Sequence, residues 1–198
     1  MTRVEDRRNL GFAQKVRTLF DPLAAKHDFR CVSENVTLVR YESKLLYLNV
    51  YHGRSSYELG IEIDRVGGES ESEHGFTLSE LLQAQDPAKG AQFRYYTART
   101  REAVDRGVEL LFELFKECAG EALGGSGAYF TRLREQRERW KQDYAQNVLA
   151  SQVRPQAKEA FRRGDFGESV RLYESIRESL TSTERKKLEF ARRKLTGL

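Results

Sequence analysis

His52, Arg54, Glu58, Glu62 and Asp64 fall within one short stretch of the chain. If that stretch is extended, Glu58, Glu62 and Asp64 project from one side, because side chains alternate along a strand. Carboxylates beside an imidazole are the materials of a divalent-cation site or of acid–base chemistry. Yet the intervening Tyr57, Leu59, Ile61 and Ile63 are apolar. Alternation of period two therefore accounts for the same charges as the wet side of a half-buried sheet. That reading is adopted, and neither a metal nor a cofactor is expected.

The remaining reactive types are scattered. No two of the three histidines have metal-ligand spacing, and neither Cys31 nor Cys118 has a second thiol nearby. Cys118 falls on the apolar stripe of a helical pattern, where a free cysteine behaves as a small hydrophobe. Gly124-Gly125-Ser126-Gly127 precedes a helical pattern, but its spacing matches no phosphate-loop or dinucleotide fingerprint and reads as a helix–helix turn. No catalytic residue is assigned, and the protein is not expected to be an enzyme.

Binding chemistry is better represented. Tyr41, Tyr47, Tyr51 and Tyr57 all fall in one β-rich region, and tyrosine is enriched at protein interfaces. Tyr47, Tyr51, Arg54, Tyr57, Glu58 and Glu62 are the candidate partner-binding residues. The second candidate set is basic. Arg134, Arg137 and Lys141 belong to one run, and Arg185, Lys186 and Arg192 to another. With Trp140 and Tyr144 they have the composition of a nucleic-acid surface. Glu135, Glu138, Glu184 and Glu189 interleave with them at helical spacing, as on a solvated helix.

The chain has 198 residues with 34 basic and 30 acidic side chains, a formal charge of +4. That charge is uneven: −6 over residues 55–90 and +7 over residues 131–198. With 11% aromatic residues the chain is not expected to be disordered. No apolar run approaches the roughly 20 residues of a membrane span. The charged first ten residues hold no secretion signal, so a reducing cytosol and free thiols are expected.

These side chains need elements to position them. Phe12, Val16, Leu19 and Leu23 predict a first helix, with Pro22 kinking or restarting it. Residues 36–41, 45–51 and 57–63 predict an antiparallel three-stranded meander, and residues 93–96 a possible fourth strand. Residues 66–75 read as a polar, mobile loop. A short helix follows, capped by Thr77 or Ser79 and closed by Asp86-Pro87 and Lys89-Gly90. Thr100 caps a helix to about residue 123, and a further long helix spans about 128–150. Helices at about 155–163, 166–179 and 181–195 complete the chain. The fold class is α+β: a three- to four-stranded antiparallel meander packed with helices over residues 1–150, then a helical hairpin appendage over residues 151–198.

Within the appendage, Ala160-Phe161-Arg162-Arg163-Gly164-Asp165-Phe166 with Ser169-Val170 and Leu172-Tyr173 resembles a tetratricopeptide-type hairpin. Gly164 and Phe166 stand at the turn, and Ser169 and Tyr173 on the second helix. The early tryptophan of that family and a second full repeat are missing. A lone repeat cannot bury its face, which implies docking on the rest of the chain or on a partner. The first half, through Val39-Arg40-Tyr41-Glu42-Ser43, Leu46-Tyr47-Leu48-Asn49-Val50 and Arg54-Ser55-Ser56-Tyr57-Glu58-Leu59, is similar in pattern to small bacterial α+β proteins, some resembling immunity proteins of contact-dependent toxin systems. The resemblance implies a non-catalytic module that binds a protein partner. The alternative is a nucleic-acid-associated protein using the basic C-terminal helices.

Overall fold

The computed structural model describes residues 6–67 and 75–197. Most of the polar loop expected at 66–75, His74 included, lies outside the described residues. The chain divides into two compact units, Met1–Gln136 and Arg137–Leu198.

The first unit opens with α1 (Phe12–Lys26), which buries Phe12, Val16, Phe20 and Ala24. Pro22 does not restart it: the helix runs through the proline without a break. Pro22 sits on the exposed side, where the carbonyl it leaves unpaired meets water while the buried stripe continues past it. The strands β1 (Arg30–Asn35), β2 (Leu38–Glu42), β3 (Leu46–His52) and β4 (Glu58–Arg65) follow, each antiparallel to the next. The expected meander forms β2 to β4. The added β1 is an edge strand that is almost wholly exposed. It has no apolar alternation to betray it, and its register slips between Cys31 and Ser33, the signature of a bulge.

Two short strands share the other edge of β4. The strand β5 (Phe76–Thr77) pairs with Glu62 and Ile63. Between them in sequence come α2 (Leu78–Gln85) and α3 (Pro87–Gln92). Asp86 does not simply end a helix: its carboxylate accepts from the amides of Ala88 at 3.0 Å and Lys89 at 3.1 Å and starts α3. The strand β6 (Tyr96–Thr97) then pairs with Glu58 and Leu59. Next, α4 (Arg101–Cys118) is capped by Thr100 as expected, and α5 (Gly120–Leu123) leads into the glycine turn.

The helix α6 (Gly127–Arg162) is continuous where the sequence predicts a break at about residue 150. Ala150, Val153, Ala157 and Ala160 are buried at helical spacing on either side of Pro155. Pro155 itself is exposed on the other side. The buried stripe thus outweighs the missing hydrogen bond, worth roughly 3 kcal/mol in a helix interior. The boundary between the units falls inside this helix.

In the first unit, α1 packs on β1 and β2, and α2 and α4 on β4. One face of the sheet is thereby buried, with Val39, Tyr41, Leu48, Val50, Ile61 and Ile63 at its centre. In the second unit, α7 (Phe166–Ser175) and α8 (Ser182–Thr196) pack together with the end of α6 around Ala157, Tyr173, Ile176 and Leu188. Gly164 makes the first turn at φ 78°, which glycine adopts without strain. Ser169 is fully buried, and its hydroxyl reaches the Ala157 carbonyl at 3.4 Å. Among the described residues, no helix is long and apolar enough to cross a membrane.

Candidate binding face of the sheet

Along β3 the buried residues Leu46, Leu48, Val50 and His52 alternate with the half-buried Tyr47, Asn49 and Tyr51. The register places Tyr47 between Glu42 and Asp64, Asn49 between Arg40 and Glu62, and Tyr51 between Leu38 and Gly60. These residues form the face of the sheet opposite the helix-covered core. Tyr47, Tyr51, Glu58 and Glu62 are therefore brought together, as their spacing predicts.

Two further groups complete the patch. Tyr95 lies just before β6, whose first residue, Tyr96, packs on the core, while Tyr95 itself is exposed. It is 42% exposed, and its phenol lies near Thr77. Glu80 is the third residue of α2. Its carboxylate accepts from the Thr77 amide at 2.8 Å, while the Thr77 hydroxyl accepts from the Glu80 amide at 3.3 Å. This reciprocal capping box holds Glu80 beside β5. Its Thr-x-x-Glu signature was available in the sequence. The place of Tyr95 was not, because it depends on which edge β6 joins.

The electrostatics are one-sided. Burial, then the charge of Glu62 and the neighbouring Tyr95 and Glu58, raise the Tyr51 phenol well above the usual tyrosine range. Tyr95 is raised by burial and by Glu80, Glu58 and Glu62. Glu58 and Glu62 thus act on both phenols and Glu80 on Tyr95, and the two stay protonated, amphipathic rings. Toward β2 the charge is balanced: Arg40 donates to Glu42 at 2.6 Å, and its guanidinium lies 4.3 Å from the Tyr47 ring centroid.

The other predicted residues are placed differently. His52 is fully buried on the helix side, with the sheet between it and Glu62. Its Nε2 lies 2.8 Å from the Ala98 carbonyl, which can only accept, so Nε2 carries the proton and Nδ1 accepts from Arg7 at 3.3 Å. Burial, reinforced by Arg7, lowers its pKa, and this neutral histidine serves the packing. Asp64 shares the outer face beside Tyr47 but is only 4% exposed, and it accepts from the Arg65 amide at 2.7 Å. Among the described residues no cluster of His, Cys, Asp and Glu has the geometry to hold a metal. Tyr57, at φ 59°, lies beneath Arg7 at 4.0 Å and packs on His52. Arg54 is exposed in the adjoining turn, and its carbonyl accepts from Arg7. Neither joins Tyr51.

The basic candidates divide likewise. Arg134 belongs to the first unit, and Arg137 and Lys141 to the second. Lys141 pairs with Glu138 at 2.7 Å. On α8, Arg192 pairs with Glu174, Arg185 donates to the Leu180 carbonyl at 3.3 Å, and Lys186 is exposed.

A cleft of about 980 Å³ in the first unit is lined by His27, Asp28, Arg30, Glu42 and Lys44 among others. Its charges are mixed in sign, and among the described residues no buried side-chain polar atom lacks a partner. Nothing there calls for a particular ligand. The chain matches no protein-family model, no curated protein and no solved structure.

Proposed function

We propose that this protein is a non-catalytic, cytosolic binding module whose outer sheet face receives a cationic protein partner. The observation that carries the reading is that Glu58 and Glu62 share the outer face of the sheet with Tyr51, with Tyr95 and Glu80 at the β4 edge of that face. Clustered carboxylates steer a basic partner into encounter and select against acidic ones. Tyrosine rings then supply anchor area at low entropic cost and accept an arginine guanidinium across their faces. The likeness of the first half to immunity-like proteins agrees with this, since a nucleic-acid-cleaving toxin presents a basic surface.

The test is capture of partners from host lysate, with and without nuclease, by the parent chain and by the Glu58→Lys/Glu62→Lys double variant. One nuclease-resistant protein held by the parent and lost from the variant, with unchanged circular dichroism, is expected. Equal capture by both would overturn the reading.

A further inference from the structure

The second unit carries an aromatic cluster that its core does not absorb. Phe161 from the end of α6, Phe166 from the start of α7 and Phe190 from α8 meet pairwise with ring centroids 5.8 Å apart. Phe161 and Phe166 are half-buried, while Phe190 is 47% exposed.

Cations frame this cluster. Lys187 Nζ lies 5.6 Å from the Phe161 centroid, and Lys194 Nζ 5.6 Å from that of Phe190. At about 100° per residue, Lys186, Lys187, Phe190, Arg193 and Lys194 occupy one arc of α8, apart from the buried Leu188 and Ala191. Among the described residues no carboxylate pairs with these four cations. Arg185 and Arg192 belong to a different arc, where Arg192 is held by Glu174. The open positive surface of α8 is therefore centred on Phe190.

We propose that this surface binds single-stranded nucleic acid, with an unpaired base stacked on Phe190 and the flanking phosphates met by Lys186, Lys187, Arg193 and Lys194. An aromatic face within a cationic frame is the recurring solution for single strands, because every base has a π-face and every linkage a charge. A duplex hides its base faces. An acidic peptide would use the cations and leave Phe190 idle. A membrane surface would need more apolar area than one half-exposed ring. This surface is separate from the sheet face and does not depend on it.

The experiment is fluorescence anisotropy of labelled oligo-dT and oligo-U with the full chain across a salt series. Binding is expected with a log–log salt slope of about −3, near 0.7 for each of four neutralised phosphates. Phe190→Ala weakens it by about 5- to 150-fold, the range for one lost stacked base, with the slope unchanged. Phe190→Tyr restores it, which separates stacking from damage to the fold. Lys187→Gln/Lys194→Gln lowers the slope, and Arg185→Gln/Arg192→Gln leaves it unaltered. The absence of binding, a duplex bound as tightly as a single strand, or insensitivity to Phe190→Ala would overturn the proposal. So would polyglutamate or anionic vesicles binding as tightly and with the same Phe190 dependence.

Discussion

The ring of Tyr51 lies over Gly60 of the neighbouring strand, so that a Cβ at Gly60 would stand 2.2 Å from the ring Cζ and 2.3 Å from the hydroxyl oxygen. The tyrosine occupies the space that a side chain at residue 60 would take. This brings the phenol onto β4 between Glu58 and Glu62. Gly60→Ala is expected to swing Tyr51 off the strand, since the far end of a side chain yields before backbone does. The fold should survive with a loss of about 1–3 kcal/mol, the range for inserting a methyl group into a packed site. Partner capture through the sheet face should fall. Chemical unfolding and the capture assay together check both.

Stability should depend on pH through His52. Its folded pKa is lowered below the ordinary value of about 6.5, first by burial. The unfolded chain then binds more protons than the folded one as pH falls below about 6.5, so stability is full above that pH and declines beneath it. The slope for this one group is at most about 1.4 kcal/mol per pH unit. Urea midpoints between pH 7 and 5 should show the decline, and His52→Gln should flatten it.

Arg7 fastens the start of the chain to the β3–β4 turn. It donates to the Gly53 carbonyl at 2.7 Å, to the Arg54 carbonyl and to His52 Nδ1, and it stacks on Tyr57. Arg7→Ala is expected to cost about 1–3 kcal/mol by leaving these acceptors unmet. Arg7→Lys should recover only part, because an ammonium lacks the planar fork. Amide exchange at residues 53–57 should quicken in both variants.

Pro155 leaves a gap in the hydrogen bonding of α6. Pro155→Ala restores an amide donor at an exposed helical position, a gain of roughly 3 kcal/mol, offset by about 1 kcal/mol of added freedom in the unfolded chain. A net stabilisation of about 2 kcal/mol is expected, read as a higher unfolding midpoint for the second unit.

The two thiols should differ sharply. Cys118 is 5% exposed, and burial pushes its pKa up to about 12. Cys31 is half-exposed on the edge strand. A chromogenic disulfide reagent should modify one thiol in the native protein and two in denaturant. Modification of both at equal rates would show that the core around Cys118 opens.

Periodicity and local capping made much of this protein readable in advance. The alternation in 57–63, the helical stripe of Val104, Val108, Leu111 and Phe115, and the cap at Thr100 are local signals, and each marks an element now observed. So is the grouping of Tyr47, Tyr51, Glu58 and Glu62, which follows from two adjacent strands and their parity. β1 was illegible because an exposed edge strand carries no apolar alternation. The continuity of α6 was illegible because a proline speaks only for its own backbone bond.

Tertiary structure alone decided which groups share a surface. His52 and Glu62 belong to paired strands, yet strand parity and the packing of helices on one face put them on opposite sides of the sheet. Tyr95 and Glu80 join Tyr51 only because β5 and β6 both dock on one edge of β4. Phe161, Phe166 and Phe190 meet only because three helices converge. A sequence sets the apolar period of each element, and so which side of it turns inward. Which elements then become neighbours is set by long-range burial, where residues far apart in the chain exclude water together.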